Sequence, residues 1–529
     1  MSFYPNAIRD ERVREYLPCQ RVVWQQNVTG SEILPGNQRI QAVMEDTFGE
    51  FIRFEKNGSI LLDFGRELHG GIRIVNSSKI GKIRLRFGES AVEAMTDPNQ
   101  DHAIHDTELL LPTMGTLEYG NTGFRFVRID ALDNEIVLRN VVAVALFHDI
   151  PQRGMFRCND ELLNKIWDTA AYTLHLNMQE YLFDGIKRDR LVWCGDLYVE
   201  IAAAFAIFGK HKIMADTLDF AAHNTPDLSL LGGISSFSFW WMITLEHYVF
   251  TTGDDSLLYK ERDIVEKLMA IFVEQTGNDG AEKAKEMRFI DWYSLSDEPS
   301  KHAGLQALLY WALCAAERCG AKLGLDTSAV TAARKRAATH VPDCSKTPAG
   351  AALQTLSNLA DRRQMLADFQ LDHTDMFSSY FVLKTQPVPA MLSLLRRQWG
   401  GMLDLGATTF WEEFDLRQAA NAGPIDELPV PGGKPDIHSY GGNHCYIGTR
   451  RSLCHGWGAG PAAILPERIF GLNFLEPGQR VLSVSPELGD LEYAEAVVPT
   501  INGDVKLFVD KKNFEVDAPA GVQIIRNNR

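Results

Sequence analysis

Residues 159–170, NDELLNKIWDTA, mark a change of period. Upstream, apolar residues alternate in twos. From here Leu162, Leu163, Ile166, Trp167 and Ala170 recur on one face of a 3.6-residue helix, and Asn159 or Asp160 can cap its free N–H groups. Similar amphipathic stretches follow at about 197–209, 213–223, 237–251, 256–276, 302–323, 328–340, 349–360, 376–384, 389–399 and 447–465. About a dozen helices joined by mixed loops is the number needed for six helical hairpins. Such hairpins can close into a toroid, its inner helices apolar nearly all round and its outer ones amphipathic. Residues 201–208 and 307–316 suit the inner layer. No repeat of fixed period is present, which favours a closed barrel over an open solenoid.

Working outward, the flanks read as strands. In FIRFEKNGSILLDFG, residues 51–65, two strand-like runs flank Asn57-Gly58, a pair suited to a tight hairpin turn. In KIRLRFGES (82–90) Ile83, Leu85 and Phe87 face one way, as do Phe124, Phe126 and Ile129 of GFRFVRIDAL (123–132) less strictly. One buried and one wet face implies antiparallel sheet. Residues 135–147 add two short strands split at Arg139-Asn140, and strands return from about residue 466, with a turn at Asp510-Lys511-Lys512-Asn513. The expected organisation is a β module over 1–152, a helical barrel over 153–465 and a second β module over 466–529.

The chain has 529 residues, 45% hydrophobic and 23% charged, which excludes disorder and a disulfide-stapled mini-domain. Fifty-three basic against 69 acidic residues leave a net charge of −16, which repels phosphate backbones and anionic lipid, so neither nucleic acid nor membrane is expected as a partner. Eight cysteines without paired short spacings read as free thiols in a reducing compartment. The start, MSFYPNAIRDERVREYL, lacks the pattern of a secretory signal, and the longest apolar run has ten residues, so a soluble cytoplasmic protein is expected.

Three segments carry more ionisable and aromatic groups than a scaffold needs. YLFDGIKRDRLVWCGDLYVE, residues 181–200, gathers Asp184, Asp189 and Asp196 around Lys187, Arg188, Arg190 and Trp193. In a partly dry cleft one of these carboxyls would keep its proton, as a general acid must, while guanidinium groups hold the others charged. The competing reading is a solvated, salt-bridged loop. In LGATTFWEEFDL, residues 405–416, Trp411 could cover a sugar face while Glu412 or Glu413 activates water; exposed glutamates on a helix end are the alternative. HSYGGNHCYIGTRRSLCHGWGAGP, residues 438–461, holds His438, His444, Cys445, Cys454 and His455, but no short ligand pair anchors a metal, and none is expected. One of these histidines instead would line the cleft. Trp240-Trp241 and Trp292-Tyr293 sit at expected inner-helix ends, where rings either stack on a sugar or plug the barrel; helical geometry lets only one of Trp240 and Trp241 face a cavity. Asp291 is the better ligand candidate, because a buried carboxylate needs a partner and sugar hydroxyls supply one. Signatures of serine esterases, NTPases and zincins are missing.

DGIKRDRLVWCGD, GATTFWEEF and SLCHGWGAGP, in that order after a β-rich region, resemble the α-L-rhamnosidases of glycoside hydrolase family 78, in the subgroup with a Lys-Arg-Asp-Arg acid motif. The resemblance implies a multidomain, mainly α fold: an (α/α)6 barrel flanked by antiparallel β-sandwich domains. It implies inverting hydrolysis of terminal α-L-rhamnose from oligosaccharides or glycosides, without a cofactor. By position, Asp189 matches the general acid, Asp184 and Asp196 match acidic residues that grip sugar hydroxyls, Glu412 matches the general base and His455 matches a histidine beside the sugar. The expected subsite comprises Asp184, Arg188, Trp193, Asp196, Trp240, Asp291, Trp292, Trp411, Glu413 and His455. Many family members have Arg-Asp-Glu-Arg where this chain has Lys-Arg-Asp-Arg, so an aspartate stands in for a glutamate acid. A barrel glycosidase of other sugar specificity and a non-catalytic carbohydrate-binding relative are the alternatives.

Overall fold

The computed structural model describes all residues except 1–5, 7, 44–48, 97–104, 225–230, 232, 286, 370, 373–374, 443–445 and 528–529. Seven strands make the N-terminal sheet: β1 (Val13–Pro18), β2 (Arg21–Thr29), β3 (Ile52–Asn76), β4 (Gly81–Gly88), β5 (Asp106–Leu111), β6 (Thr116–Ala131) and β7 (Ile136–Phe147), in the order β1-β7-β3-β6-β4-β5 with β2 on β3. Pairing is antiparallel except between β3 and β7.

Asn57-Gly58 does not turn a hairpin. Asn57 does take a positive φ of 60°, but Asn27 opposite takes one of 52°, and the register slips between Gln26 and Val28. Segments on both sides of Asn57 pair with β2 rather than with each other, so the chain bends and continues as one 25-residue strand. Residues 135–147 likewise form one strand, not two. Ile83, Leu85 and Phe87 pack into the sheet core with Phe124 and Ile129, whereas Phe126 joins Ala91 and Ala94 in a separate cluster. The register slip in β3 between Asp63 and Leu68, the partners of Phe126 and Phe124, breaks the alternation there.

Helix α1 (Ala91–Met95) follows β4, capped by Ser90, whose hydroxyl accepts from Glu93 N–H. At the change of period Asp160, not Asn159, caps α2 (Glu161–Asn177), accepting from Leu162 and Leu163 N–H; Asn159 accepts instead from Glu492 N–H. Then come α3 (Leu197–Ile207), α4 (Lys212–His223) and α5 (Ser235–Thr252), and further on the helices Glu298–Lys322, Pro348–Leu356, Met376–Thr385 and Pro461–Phe470. Helix α3 packs on α5, α5 on Glu298–Lys322, and so on in chain order until Pro461–Phe470 returns to α3. These six close on themselves. The α3 and α5 helices are buried on nearly every side, as residues 201–208 led one to expect. Residues 447–465 are not one helix: 3₁₀ turns at Gly448–Arg450 and Gly456–Ala459 frame a loop, and the helix runs past Pro466 to Phe470, where the first tail strand was expected.

The strand β8 (Met155–Cys158) joins β11 (Tyr493–Thr500), β12 (Gly503–Asp510) and β13 (Phe514–Asp517) in one antiparallel sheet; β9 (Asn473–Phe474), β10 (Val481–Val484) and β14 (Gln523–Arg526) form another. Asp510 closes the expected turn by accepting from Lys512 and Asn513 N–H. The seven described cysteines are free thiols. No described helix is long and apolar enough to cross a membrane.

Candidate active site

The three segments singled out in the sequence meet at one end of the helical ring. Gly185 bridges His455, and Gly456 N–H donates to the Asp184 carbonyl at 2.7 Å. His455 N–H donates to the Phe410 carbonyl and Glu412 N–H to the Ser452 carbonyl, at 2.9 and 3.0 Å. The loop between α2 and α3, the 410–413 segment and the 452–456 loop are thus held by backbone bonds, which fix side-chain positions more firmly than surface contacts would.

Arg188 is the hinge of the arrangement. Its Nη2 donates to Glu412 Oε2, its Nη1 lies 3.3 Å from Asp189 Oδ1, its Nε donates to the Arg450 carbonyl at 2.6 Å, and its guanidinium lies 3.7 Å from the Tyr446 ring centroid. One guanidinium therefore faces both the Asp189 and the Glu412 carboxylates. Glu412 is buried and also accepts from Ser452 N–H at 3.2 Å; the Asp189 side chain keeps 29% of its surface open and sits at a φ of 52°.

Beneath them lie the other aspartates. Asp184 is buried and accepts from Leu191 N–H at 2.9 Å; burial pushes its carboxyl well above the usual range, with nearby Asp196 adding to the effect. Asp196 is raised by burial too, although His455, whose Nε2 lies 3.2 Å away, counters this. Burial alone would lower His455, but the bond to Asp196 and the charge of Glu412 outweigh it and leave the imidazole raised. Its Nδ1 is buried with no hydrogen-bond partner. The sequence reading overlooked two neighbours. Trp457, in the third motif, packs its ring 4.3 Å from His455 and donates Nε1–H to the Glu412 carbonyl at 3.0 Å. Glu200, one helical turn after Asp196, is fully buried with neither carboxyl oxygen bonded, and burial pushes it well up. The i, i+4 spacing from Asp196 was the signal that could have revealed it.

Glu413 turns the other way: its carboxylate accepts from Tyr293 OH at 3.3 Å and its backbone bridges Asp375. Asp291 accepts from Ser294 N–H, Ser294 OH and Ser378 OH at 2.7, 2.5 and 2.8 Å, so protein hydroxyls take the place expected for a sugar's. Asp291 and Tyr293 line a cavity of about 210 Å³ with Lys346 and Phe369. Trp292 and Trp193 are half-buried, Trp292 against Phe289 and Trp193 edge-on to Phe237.

Trp240 is not brought to this group. It is 1% exposed and stacks on Phe381 among Tyr198, Trp311 and Phe377; Trp241 is buried as well, donating to the Leu218 carbonyl. Trp240 plugs the ring of helices, whereas Trp241 turns outward onto Leu218 of α4, and α5, enclosed nearly all round, leaves neither ring a free face. Trp411, also 1% exposed, lies under the site against Phe414. His438 is wedged between Ser90 OH and the Arg451 carbonyl, and burial pushes the Cys454 thiol well up, so neither is presented to the cleft. His444 and Cys445 lie outside the described residues.

Comparison with known proteins supplies a frame for this geometry. Residues 151–337 match the family model of the bacterial alpha-L-rhamnosidase six-hairpin glycosidase domain. An alpha-L-rhamnosidase of Formosa agariphila is 22% identical over 192 residues, 32% of this chain and 20% of that protein. A family 78 rhamnosidase of Bacillus sp. GL1 superposes with a TM-score of 0.71 at 19% identity, over 92% of this chain and 54% of that one. A rhamnosidase from Klebsiella oxytoca, solved with rhamnose bound, superposes with a TM-score of 0.67 at 17% identity, over 88% of this chain and 97% of that one. The chain spans about a fifth of the length of the Formosa relative and about half of the Bacillus protein.

Proposed function

Residues 151–337 belong to the bacterial α-L-rhamnosidase six-hairpin glycosidase domain family, and from that premise we propose that the protein is an inverting exo-acting α-L-rhamnosidase whose six-helix ring is the inner layer of an (α/α)6 barrel. The general acid is Asp189 and the general base Glu412. The observation that carries this reading is the shared guanidinium: Arg188 faces both carboxylates from different nitrogens. An inverting enzyme needs its two carboxyls roughly 6.5–9.5 Å apart, with a water between base and sugar.

Each partner suits its role. Glu412, paired with Arg188, is favoured in the charged form that accepts a proton from water. Asp189 is open enough for an arriving sugar to reach it, in the position from which the general acid donates to the glycosidic oxygen. Glu412 is preferred over Glu413 because Glu413 faces Tyr293 and Asp375 instead. Asp184, Asp196 and His455 present polar atoms to ring hydroxyls, while Trp193 supplies an apolar edge for the 6-methyl group. The aglycone side of a rhamnose-containing oligosaccharide or glycoside meets the rim.

Asp189→Asn and Glu412→Gln are each expected to lower turnover of an aryl α-L-rhamnoside by about 10² or more, with the native fold retained. Proton NMR of the first product formed should show the inverted anomer. Parental turnover in either variant, or a retained anomer, would remove that assignment; cleavage of another aryl glycoside in preference would change the sugar but leave the acid and base in place.

A further inference from the structure

Among the contacts between the N-terminal sheet and the site, one runs through a buried ammonium group. Lys187, next to Arg188 in the acid loop, is fully buried, and its Nζ lies 3.1 Å from Glu89 Oε2 and 3.0 Å from Glu93 Oε1, both at the β4–α1 junction. The same nitrogen donates to the Thr449 and Arg451 carbonyls at 2.7 and 2.8 Å. Glu89 in turn accepts from Leu453 N–H at 2.7 Å, two residues before His455, and Glu93 accepts from Glu89 N–H at 2.7 Å. Glu89, Glu93 and His438 are close enough to surround a cation, and the cation present is Lys187.

This is a costly arrangement if it serves stability alone. Desolvating an ammonium and two carboxylates consumes much of their mutual attraction, and well-packed apolar residues often hold a core as well or better. What apolar packing does not supply is direction. Four short contacts fix Nζ, and Nζ is tied to the peptide that carries Arg188. The carbonyls it binds flank Arg450, whose own carbonyl accepts from Arg188, and precede Ser452, whose N–H donates to Glu412.

We propose that the N-terminal sheet domain is a working part of the catalytic centre: Glu89 and Glu93 act through Lys187 as positioning residues that aim Arg188 at Asp189 and Glu412. The inference rests on the reading of those two carboxylates as acid and base. It assigns the sheet domain a role in turnover separate from any grip on sugar.

Glu93→Gln keeps the shape and removes one charge. It is expected to lower kcat about tenfold or more, as small misplacement of a reacting group does, while KM stays within about twofold. Hydrogen exchange of residues 184–191 and 450–455 should quicken in the same variant. Glu118→Gln, which breaks an ion pair with Arg14 and Arg73 elsewhere on the same sheet, is the control and should leave kcat at the parental value. The proposal is overturned if folded Glu93→Gln turns over within twofold of the parent, if its loss lies only in KM, or if Glu118→Gln loses as much. Should Glu93→Gln not fold, Glu89→Gln, which leaves the Glu93–Lys187 contact intact, takes the same test with the same outcomes. The kinetics use whichever aryl glycoside the parent cleaves fastest. A parent inert to all of them would sink the assigned function, and unchanged exchange in the loops would still sink this inference by itself.

Discussion

What distinguishes the carboxyls of this site is what surrounds each one. The sequence placed Asp184, Asp189 and Asp196 within thirteen residues and required that they not all be charged; the fold buries Asp184 and Asp196, leaves Asp189 open and sets Arg188 beside it. Burial therefore favours the protonated form at Asp184 and Glu200, whereas at Asp196 the bond to His455 counters it. Glu200 offers a direct test. A carboxyl raised in the fold binds its proton where the unfolded chain has lost it, so it weakens the fold at every pH above the ordinary glutamate range. Glu200→Gln should raise the melting temperature at pH 8 more than at pH 4.5; equal shifts at both would mean that the side chain is not held protonated.

Loops and caps decide whether those residues meet. A Cβ on Gly456 would overlap the Glu200 carboxyl, in the loop whose N–H groups hold Asp184 and reach Phe410. Gly456→Ala should cost about 1–3 kcal/mol, as overpacking does, and lower kcat; an unshifted melting curve would show that the loop gives way freely. At the start of the helical region Asp160 caps α2 and also accepts from Arg396 at 2.7 Å. Asp160→Ala should cost about 1–2 kcal/mol, read from thermal melts, whereas Asn159→Ala should cost less because Asn159 caps nothing. The cap and the helical period were legible in the sequence because both are set by neighbours within one turn. The 447–465 loop was misread as helix for the converse reason: its apolar residues pack in several directions around the site, and spacing alone does not register that.

For the molecule as a whole, buried acids set the response to pH. Burial pushes Asp375 to about 8, with Asp291 adding to it, and also raises Asp184 and Glu200. Between the ordinary carboxyl range and pH 8 the folded protein holds protons that the unfolded chain has released, so these groups make stability fall as pH rises through that window. The melting temperature should drop from pH 5 to pH 8. Asp375→Asn, which keeps the cap on Ser378 N–H, should flatten the drop; an identical slope in the variant would remove Asp375 from the account.

Read alone, the sequence determined the succession of sheet, helical region and sheet, most helix positions, the Asp510 turn and the three segments that build the site, because each rests on local period, capping or composition. Tertiary structure decided that Asn57 bends a strand instead of turning it, that Trp240 plugs the interior, that Asp291 binds protein hydroxyls, and that Glu89 and Glu93 stand behind the loop between α2 and α3. Those outcomes depend on which remote segment arrives opposite a residue and how much water it displaces, and neither quantity is carried by the residue's neighbours along the chain.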